Sequence, residues 1–238
     1  MQGEVLSYEA DGLPMESHLY IDRSVSGLRP GVLVFPEAMG LGDHAKEKAQ
    51  RLAAAGYVAL ACDLHGEGLI MSDMPAMMAL LGELMQSPTR IEARAKAGLD
   101  ALLGTGAVDP AKIAAIGFCF GGTMSLELAR GGNDVAGVVG FHSGLGTARP
   151  EAAKNIKGKV LVLIGADDPG IGPDQRAAFE TEMREGKVDW QMNLYGGVVH
   201  SYTNKDADKM GMPDFARYDR IADERSWAEM LAFFDELF

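Results

Sequence analysis

One segment of the chain reads Ile113-Ala-Ala-Ile-Gly-Phe-Cys-Phe-Gly-Gly-Thr-Met-Ser-Leu-Glu-Leu-Ala129. It begins with a short apolar run, Ile113 to Ile116, that has the length of a buried strand. Good helix formers with apolar residues at helical spacing follow from Thr123 to Arg130. The glycine-rich residues between them predict a sharp turn from strand to helix, because glycines let two backbones approach closely. The segment therefore predicts a strand–turn–helix unit with Cys119 at the apex of the turn.

Cys119 occupies the nucleophile position of the pattern Gly-x-nucleophile-x-Gly. A strained turn would push its sulfur above the sheet edge, at a helix N-terminus where free amides and the helix dipole favour a thiolate. Two other interpretations exist, since free cysteines are often inert core residues and glycine-rich turns also bind dinucleotides. The dinucleotide pattern Gly-x-Gly-x-x-Gly is not met, because Cys119 stands where its second glycine would be. The glycines on both sides of Cys119 favour its interpretation as a nucleophile over its interpretation as a core residue.

Composition restricts the class of protein. The chain has 238 residues, of which 47% are hydrophobic, and this predicts a single α/β domain over residues 1–238. A formal net charge of −12 disfavours nucleic-acid and anionic-membrane partners. Two cysteines do not make a disulfide framework, and neither a secretory signal nor a bilayer-spanning apolar run is visible. We expect a cytoplasmic protein, either a monomer or a homodimer, with no nucleic-acid and no membrane partner.

Strands and helices alternate along the chain. Residues 4–9 and 14–21 predict an antiparallel hairpin at one sheet edge. Further strands are predicted at 31–35, 57–62, 113–116, 135–141, 160–164 and 188–194, and helices at 43–55, 71–86, 89–103, 123–130, 173–185 and 214–238. We expect the Met-rich helix to pack in the core, and Arg90 and Arg94 to lie on an exposed helix face. The alternation predicts a mostly parallel, doubly wound sheet with helices on both faces and ligands at the carboxyl ends of the strands.

A cysteine nucleophile needs a base, and the base needs an orienting group. In folds with this turn the chain order is nucleophile, acid, histidine. That order favours His200, which follows the last strand, over His142, which precedes the acid candidates and would be a pocket-lining or core imidazole. Asp167 and Asp168 both follow a strand, and periodicity cannot separate adjacent residues. The residues alone leave both open, although the spacing from Gly165 favours Asp168.

Two backbone amides are candidates for an oxyanion hole. One is the amide of Phe120, directly after the nucleophile, and the other is the amide of Ala38 in the loop after strand 31–35. Glu37 lies in the same loop, where a carboxylate is costly unless it is paired or exposed, so an exposed loop residue is an equally good interpretation. No His, Cys and carboxylate cluster has metal-ligand spacing, so neither a metal nor another cofactor is predicted.

The chain resembles the dienelactone hydrolase family of the α/β-hydrolase superfamily over nearly its whole length. The resemblance rests on six motifs: Pro36-Glu-Ala-Met-Gly40, Ala61-Cys-Asp-Leu-His65, Val108-Asp-Pro-Ala-Lys-Ile113, Gly117-Phe-Cys-Phe-Gly-Gly122, Gly165-Ala-Asp-Asp-Pro169 and Val199-His-Ser-Tyr-Thr-Asn204. It implies the α/β-hydrolase fold and a triad of Cys119, Asp168 and His200. It also implies that Glu37 interacts with the resting thiol and helps to generate the thiolate when substrate enters.

The departures from the family pattern bear on the substrate. Family members that act on the chlorocatechol-pathway lactone hold its carboxylate with arginines, one of them four positions after the catalytic histidine, where this chain has Asn204. The loop after Asp63 supplies no arginine either. We therefore expect hydrolysis of small neutral esters or lactones through a thioester, with activated phosphotriesters as promiscuous substrates. Met39, His142, Tyr202 and Asn204 are the candidates for the substrate pocket.

Three alternatives remain for the function. The first is a carboxymethylenebutenolidase proper, acting on dienelactone. The second is a thioesterase or a peptidase-type acyl hydrolase, which a substrate panel would distinguish and the sequence does not. The third is a non-enzymatic redox-sensing or ligand-binding module that keeps the cysteine, against which the complete set of nucleophile, acid and histidine argues.

Overall fold

The computed structural model describes residues 3–238. Within this range eight strands form one sheet, and their bounds are β1 (Glu4–Ala10), β2 (Leu13–Tyr20), β3 (Arg29–Phe35), β4 (Val58–Ala61), β5 (Val108–Phe118), β6 (Gly137–Phe141), β7 (Lys159–Gly165) and β8 (Trp190–Tyr195). The strand order is β1-β2-β4-β3-β5-β6-β7-β8. The two pairs β1–β2 and β2–β4 are antiparallel, and all the other neighbours are parallel. The predicted mostly parallel sheet with an antiparallel edge hairpin is confirmed.

Helices cover both faces of the sheet. The α-helices of residues 3–238 are α1 (Asp43–Ala54), α2 (Met74–Met85), α3 (Pro88–Gly104), α4 (Phe120–Arg130), α5 (Pro173–Gly186) and α6 (Arg220–Leu237), and short 3₁₀ helices lie at Pro150–Asn155 and Ala207–Met210. Buried residues of α1 and α6 belong to one apolar cluster, and those of α2, α3, α4 and α5 belong to another. The helices therefore divide between the two faces, as a doubly wound arrangement requires.

The central strands are buried on both sides, which explains their continuous apolar sequences. In β3, Leu33 and Phe35 belong to one cluster, and Val32 and Val34 belong to the other. All four side chains are fully buried. This packing fixes the register of β3 against β5, and so fixes the relative heights of the loops that follow these two strands.

The C-terminal helix starts later than predicted. The prediction of a helix from residue 214 is wrong for the first six positions, because Asp219 caps α6 and its side chain accepts a hydrogen bond from the Ala222 amide at 2.9 Å. The residues before this cap, which are not part of the helix, pair with the segment around His200 instead. The His200 amide donates to the Phe215 carbonyl at 3.0 Å, and the Arg217 amide donates to the His200 carbonyl at 3.1 Å. A loop therefore lies against His200 where a helix was expected.

The packing predicted for the Met-rich helix holds for only part of its surface. Asp73 caps α2 and accepts a hydrogen bond from the Ala76 amide at 3.1 Å, so the helix begins at residue 74. Met77 is buried with Leu84, but Met74 and Met78 are exposed. Only one face of α2 contributes to the core.

The prediction that Arg90 and Arg94 occupy an exposed face is wrong for Arg94, whereas the side chain of Arg90 is 42% exposed. Both guanidinium groups donate to the carboxylate of Asp11, which lies in the turn of the β1–β2 hairpin. Arg94 is buried, and it also donates to the Leu64 carbonyl at 2.8 Å. Residues four apart on a helix project to the same side, which allows both arginines to reach one carboxylate. They tie the edge hairpin to α3.

Six parallel strands carry their following loops to one edge of the sheet. These strands are β3, β4, β5, β6, β7 and β8. In sheets of this kind ligands bind at the carboxyl ends of the strands.

Among residues 3–238, no helix combines the length and the hydropathy needed to cross a bilayer.

Candidate active site

Cys119 lies at the apex of a tight turn between β5 and α4. Its backbone has φ 54° and ψ −120°, a conformation that a non-glycine residue rarely adopts. Two hydrogen bonds hold the strained residue, since its amide donates to the Phe141 carbonyl at 3.0 Å and its carbonyl accepts from the Gly122 amide at 3.1 Å. The side chain is partly exposed at the N-terminus of α4. The predicted strand–turn–helix unit is present, with a thiol at its apex.

Two glycines make this turn sterically feasible. A Cβ atom on Gly117 would overlap the backbone of Gly121, because β5 and α4 almost touch at this point. A Cβ atom on Gly121 would overlap the carbonyl oxygens of Phe35 and Pro36 at the end of β3. The sequence thus fixes the position of Cys119 by excluding side chains from both sides of the turn.

The structure separates the two adjacent aspartates. The Oδ2 atom of Asp168 lies 2.6 Å from Nδ1 of His200, and its Oδ1 atom accepts a hydrogen bond from the Gly170 amide at 2.8 Å. Asp168 is buried, whereas Asp167 is exposed to solvent. The carboxylate next to His200 is therefore that of Asp168.

The charge state of His200 depends on its neighbours. Burial lowers the pKa of His200, but the Coulombic attraction of Cys119 and the hydrogen bonds to Asp168 and to Cys119 outweigh it, raising the pKa to about 10. The imidazole lies between a carboxylate and the thiol. Such an arrangement stabilises the protonated, positively charged form of the imidazole.

Glu37 is held by two side chains of the loop that carries the histidine. Ser201 Oγ donates to its Oε1 at 3.0 Å, and Asn204 Nδ2 donates to its Oε2 at 2.5 Å. Burial raises the pKa of Glu37, and these hydrogen bonds oppose the shift without cancelling it. The interpretation of Glu37 as an exposed loop residue is wrong, since its side chain is only 19% exposed. Asn204, predicted as a pocket residue, is a hydrogen-bond donor to Glu37.

Two of the predicted pocket residues are buried beneath the site. His142 is fully buried, its Nε2 lies 2.8 Å from Thr203 Oγ1, and its ring meets His200 edge-on at 5.2 Å. Burial lowers the pKa of His142 well below its ordinary value, so the imidazole is neutral. Tyr202 is also fully buried, and its hydroxyl donates to the Leu163 carbonyl at 3.0 Å. His142 is therefore the core imidazole of the two alternatives, and the assignment of Tyr202 to the pocket is corrected because it has no exposed surface.

A polar cluster behind Glu37 was missed by the sequence analysis. His44 Nε2 lies 3.1 Å from the Thr203 carbonyl, and burial lowers the pKa of His44 to about 3. Nearby, Lys48 forms a buried ion pair with Asp223 at 2.7 Å. Lys48 lies on the otherwise apolar buried face of α1. A charged residue in such a position is the feature of the sequence that could have indicated this buried polar cluster. Despite the nearby histidines, residues 3–238 contain no group of three or more histidine, cysteine and acidic side chains arranged to hold a metal ion.

The two candidate oxyanion-hole amides lie just after the ends of two neighbouring strands, β5 and β3. Phe120 is the first residue of α4, where an amide has no acceptor within its own helix. Ala38 follows β3, which pairs with β5 up to the level of Gly117. The Ala38 carbonyl, which belongs to the next peptide unit, accepts a hydrogen bond from His65 Nε2 at 2.8 Å, and this contact holds the loop backbone directly after the amide. Met39, the next residue, is partly exposed at the rim.

The order of these parts along the chain defines a class of protein. A strained turn follows β5, an acid follows β7 and a histidine follows β8, on a mostly parallel sheet covered on both faces. This is the arrangement of an α/β-hydrolase. The model of the dienelactone hydrolase family matches residues 15–238, and the chain belongs to that family of hydrolases, which act on esters and lactones.

Similar proteins agree with this assignment. The solved structure of m3DLH has 43% sequence identity and a TM-score of 0.96, with 100% of this chain and 98% of that chain covered. A dienelactone hydrolase-like promiscuous phosphotriesterase from metagenomic libraries has 42% identity and a TM-score of 0.93, with 99% and 98% covered. Protein usf of Aquifex pyrophilus is 25% identical over 238 residues, which are 98% of each chain.

Proposed function

We propose that the protein hydrolyses small neutral esters or lactones by nucleophilic attack of the Cys119 sulfur, through a thioester intermediate. One observation carries the proposal. His200 is hydrogen-bonded to Asp168 through Nδ1 at 2.6 Å. Burial lowers the pKa of His200, but its interactions with Cys119 and Asp168 raise it to about 10, and the attraction to Cys119 is the largest of these interactions. A thiol beside a charged imidazole, at a helix N-terminus, has the surroundings of a reactive cysteine.

In the first half of the proposed reaction the thiolate of Cys119 attacks the carbonyl carbon of the ester. The C=O electron pair moves to oxygen, and the amides of Phe120 and Ala38 donate to that oxyanion. Removing one donor of this kind typically lowers kcat by about 10²–10³-fold. Collapse of the tetrahedral intermediate breaks the bond to the leaving oxygen, which takes a proton from His200, and it leaves a thioester on Cys119.

In the second half, water hydrolyses the thioester. His200, now neutral and oriented by Asp168, takes a proton from a water molecule as its oxygen attacks the thioester carbonyl. The second tetrahedral intermediate expels the Cys119 thiolate and releases the carboxylic acid. The imidazolium–thiolate pair is thereby restored, and the reaction consumes one water molecule per ester.

Glu37 acts on the charge of this pair in the proposal. Attraction to His200 is among the interactions that lower the pKa of Glu37 against the effect of burial. An ionised Glu37 therefore stabilises the imidazolium form of His200, and through it the thiolate. Ser201 and Asn204 hold the carboxyl in the position from which it does so.

The partners of the arginines and of Asn204 favour a neutral substrate. Arg90 and Arg94 both donate to Asp11 at the outer hairpin. Asn204, at the position where the resemblance expects an arginine, donates to Glu37. A substrate carboxylate would meet Glu37 without a compensating cation from these residues, which argues against the alternative of dienelactone itself as the substrate.

Activated phosphotriesters are a second candidate class of substrate. The observation in favour is the 42% identity over 99% of the chain to the structure described as a dienelactone hydrolase-like promiscuous phosphotriesterase. Attack on phosphorus would also build negative charge on an oxygen facing the two amides. Release of nitrophenol from a nitrophenyl phosphotriester tests this second class, and absence of product excludes it.

The main test is hydrolysis of p-nitrophenyl acetate and p-nitrophenyl butyrate by the wild type and by Cys119→Ala. We expect activity to disappear in the variant, and an acyl group to be found on Cys119 of the wild type by mass spectrometry after rapid acid quenching. Cys62→Ala is the matched control, because Cys62 is fully buried among core side chains. Equal rates for wild type and Cys119→Ala would refute the thioester mechanism.

A further inference from the structure

Phe215 covers one side of the His200 imidazole. The two ring centroids lie 5.4 Å apart with an angle of 35° between the planes. The backbones are also joined, because the His200 amide donates to the Phe215 carbonyl at 3.0 Å. Nevertheless Phe215 as a whole residue is 39% exposed. An aromatic ring is thus fixed against the proposed base and keeps a free surface.

The loop that carries Phe215 presents more apolar surface at the same place. Met212 is exposed, and its carbonyl accepts hydrogen bonds from the amides of Phe215 at 2.9 Å and Ala216 at 2.8 Å. On the other side, Phe215 Cε2 lies 3.9 Å from where a Cβ atom of Gly170 would be. Gly170 is the residue whose amide binds Asp168. Phe215 therefore lies at the rim of the site, on the side of His200 and Asp168.

The proposed reaction determines which part of the substrate comes to this side. His200 must give its proton to the leaving oxygen, so that oxygen must come within hydrogen-bond distance of the imidazole. The carbonyl oxygen points instead to the amides of Phe120 and Ala38. The alcohol portion of the ester is consequently the part that meets the exposed surface next to His200.

We propose that Phe215 is a substrate-binding residue that forms an aromatic platform for the alcohol portion, so that the enzyme selects aryl esters over alkyl esters. This proposal rests on the proposed function, since it takes the side of the leaving group from the role of His200. Aromatic rings attract one another in offset-stacked or edge-to-face arrangements beyond the effect of area burial. A planar phenolic group gains this interaction, and a small alkyl alcohol does not.

The test compares kcat/KM for phenyl acetate and trifluoroethyl acetate, two neutral esters with the same acyl group. Differences in their intrinsic reactivity cancel when the aryl-to-alkyl ratio is compared between variants. We expect Phe215→Leu to lower that ratio by about tenfold, and Phe215→Tyr to preserve it because the ring remains. Leu28→Ala is the control, since Leu28 is 62% exposed just before β3, at the opposite end of the strands. It should leave the ratio unchanged.

Two results would overturn the proposal. An equal loss for both esters in Phe215→Leu would mean that the ring only positions or shields His200, and an unchanged ratio would mean that it does not contact the alcohol portion. A binding experiment separates these failures from failure of the proposed function. Saturation-transfer NMR of phenyl acetate with Cys119→Ala protein should show binding that is lost in the double variant with Phe215→Leu, whether or not the wild type turns the ester over.

Discussion

The Nδ1 atom of His200 lies 2.6 Å from the Oδ2 atom of Asp168, although 32 residues separate them in the sequence. The contact forms because Asp168 follows β7 and His200 follows β8, and these two strands are parallel neighbours. The other carboxylate oxygen of Asp168 accepts the Gly170 amide, so the carboxylate cannot rotate away without losing a hydrogen bond. The contact fixes the proton of His200 on Nδ1, or keeps both nitrogens protonated, and turns Nε2 toward the thiol.

Asp168→Asn is expected to lower kcat/KM for p-nitrophenyl acetate by about 10²–10⁴-fold, because the amide neither orients the imidazole nor stabilises its charge. The pKa of His200 should fall in the same variant, since the hydrogen bond and the charge of Asp168 are among the causes that raise it. Steady-state kinetics and an NMR titration of the imidazole measure the two effects. Asp167→Asn, one residue away but exposed, is the matched control and should behave as the wild type. Comparable losses in both variants would contradict the assignment of the acid.

Cys119→Ala is expected to lower the pKa of His200 from about 10, because the attraction and the hydrogen bond of Cys119 are removed while the effect of burial remains. The measurement is an NMR titration of the histidine Cε1 protons. His142 serves as an internal reference in the same spectra, since burial keeps its pKa well below the ordinary value and it should stay neutral. An unchanged pKa of His200 would show that the thiol and the imidazole do not interact.

The tight turn and the order of the site residues could be predicted from the sequence for steric reasons. Only glycine fits at Gly117 and Gly121, so a short motif determines the backbone around Cys119. The choice between Asp167 and Asp168 could not be made in the same way. It depends on which side of the chain faces β8 after the strand has ended, and no periodicity continues there.

Contacts between distant segments were beyond the sequence analysis. The start of the last helix was misplaced because residues 214–219 can continue a helical pattern, and only the cap at Asp219 and the pairing with His200 exclude it. In the same way, Arg94 matches an exposed helix position until the hairpin turn brings Asp11 to it. Each of these cases is a tertiary interaction that overrides a local preference.

Glu37→Gln is expected to change the pH dependence of stability. The native state holds the proton of Glu37 more tightly than the unfolded state does, since burial raises the pKa of this carboxyl. The wild-type free energy of unfolding therefore loses a contribution as pH rises from the unfolded pKa of about 4.3 through the higher native value. The variant has no such titration, so its stability relative to the wild type should increase over that range. Urea unfolding at a series of pH values measures the difference.

Glu47→Gln provides the control for that measurement, because Glu47 is an exposed residue on the neighbouring helix α1. Its stability difference from the wild type should stay constant over the same pH series. If Glu37→Gln also gives a constant difference, Glu37 titrates in the folded protein as it does in the unfolded chain, and its burial does not affect its charge.

Gly117→Ala and Gly82→Ala are expected to change stability in opposite directions. A Cβ atom at Gly117 overlaps the backbone of Gly121, which no side-chain rotation can relieve, so the turn must open. We expect a loss of about 3 kcal/mol or more in the free energy of unfolding, with loss of activity in any folded fraction. A Cβ atom at Gly82 meets nothing within 4 Å and lies inside α2, where alanine stabilises a helix by about 0.5–1 kcal/mol relative to glycine. Thermal and urea unfolding measure both changes, and activity per folded molecule reports on the turn. A Gly117→Ala protein as stable and as active as Gly82→Ala would mean that the chain tolerates a side chain inside the turn, and the steric explanation for the position of Cys119 would be wrong.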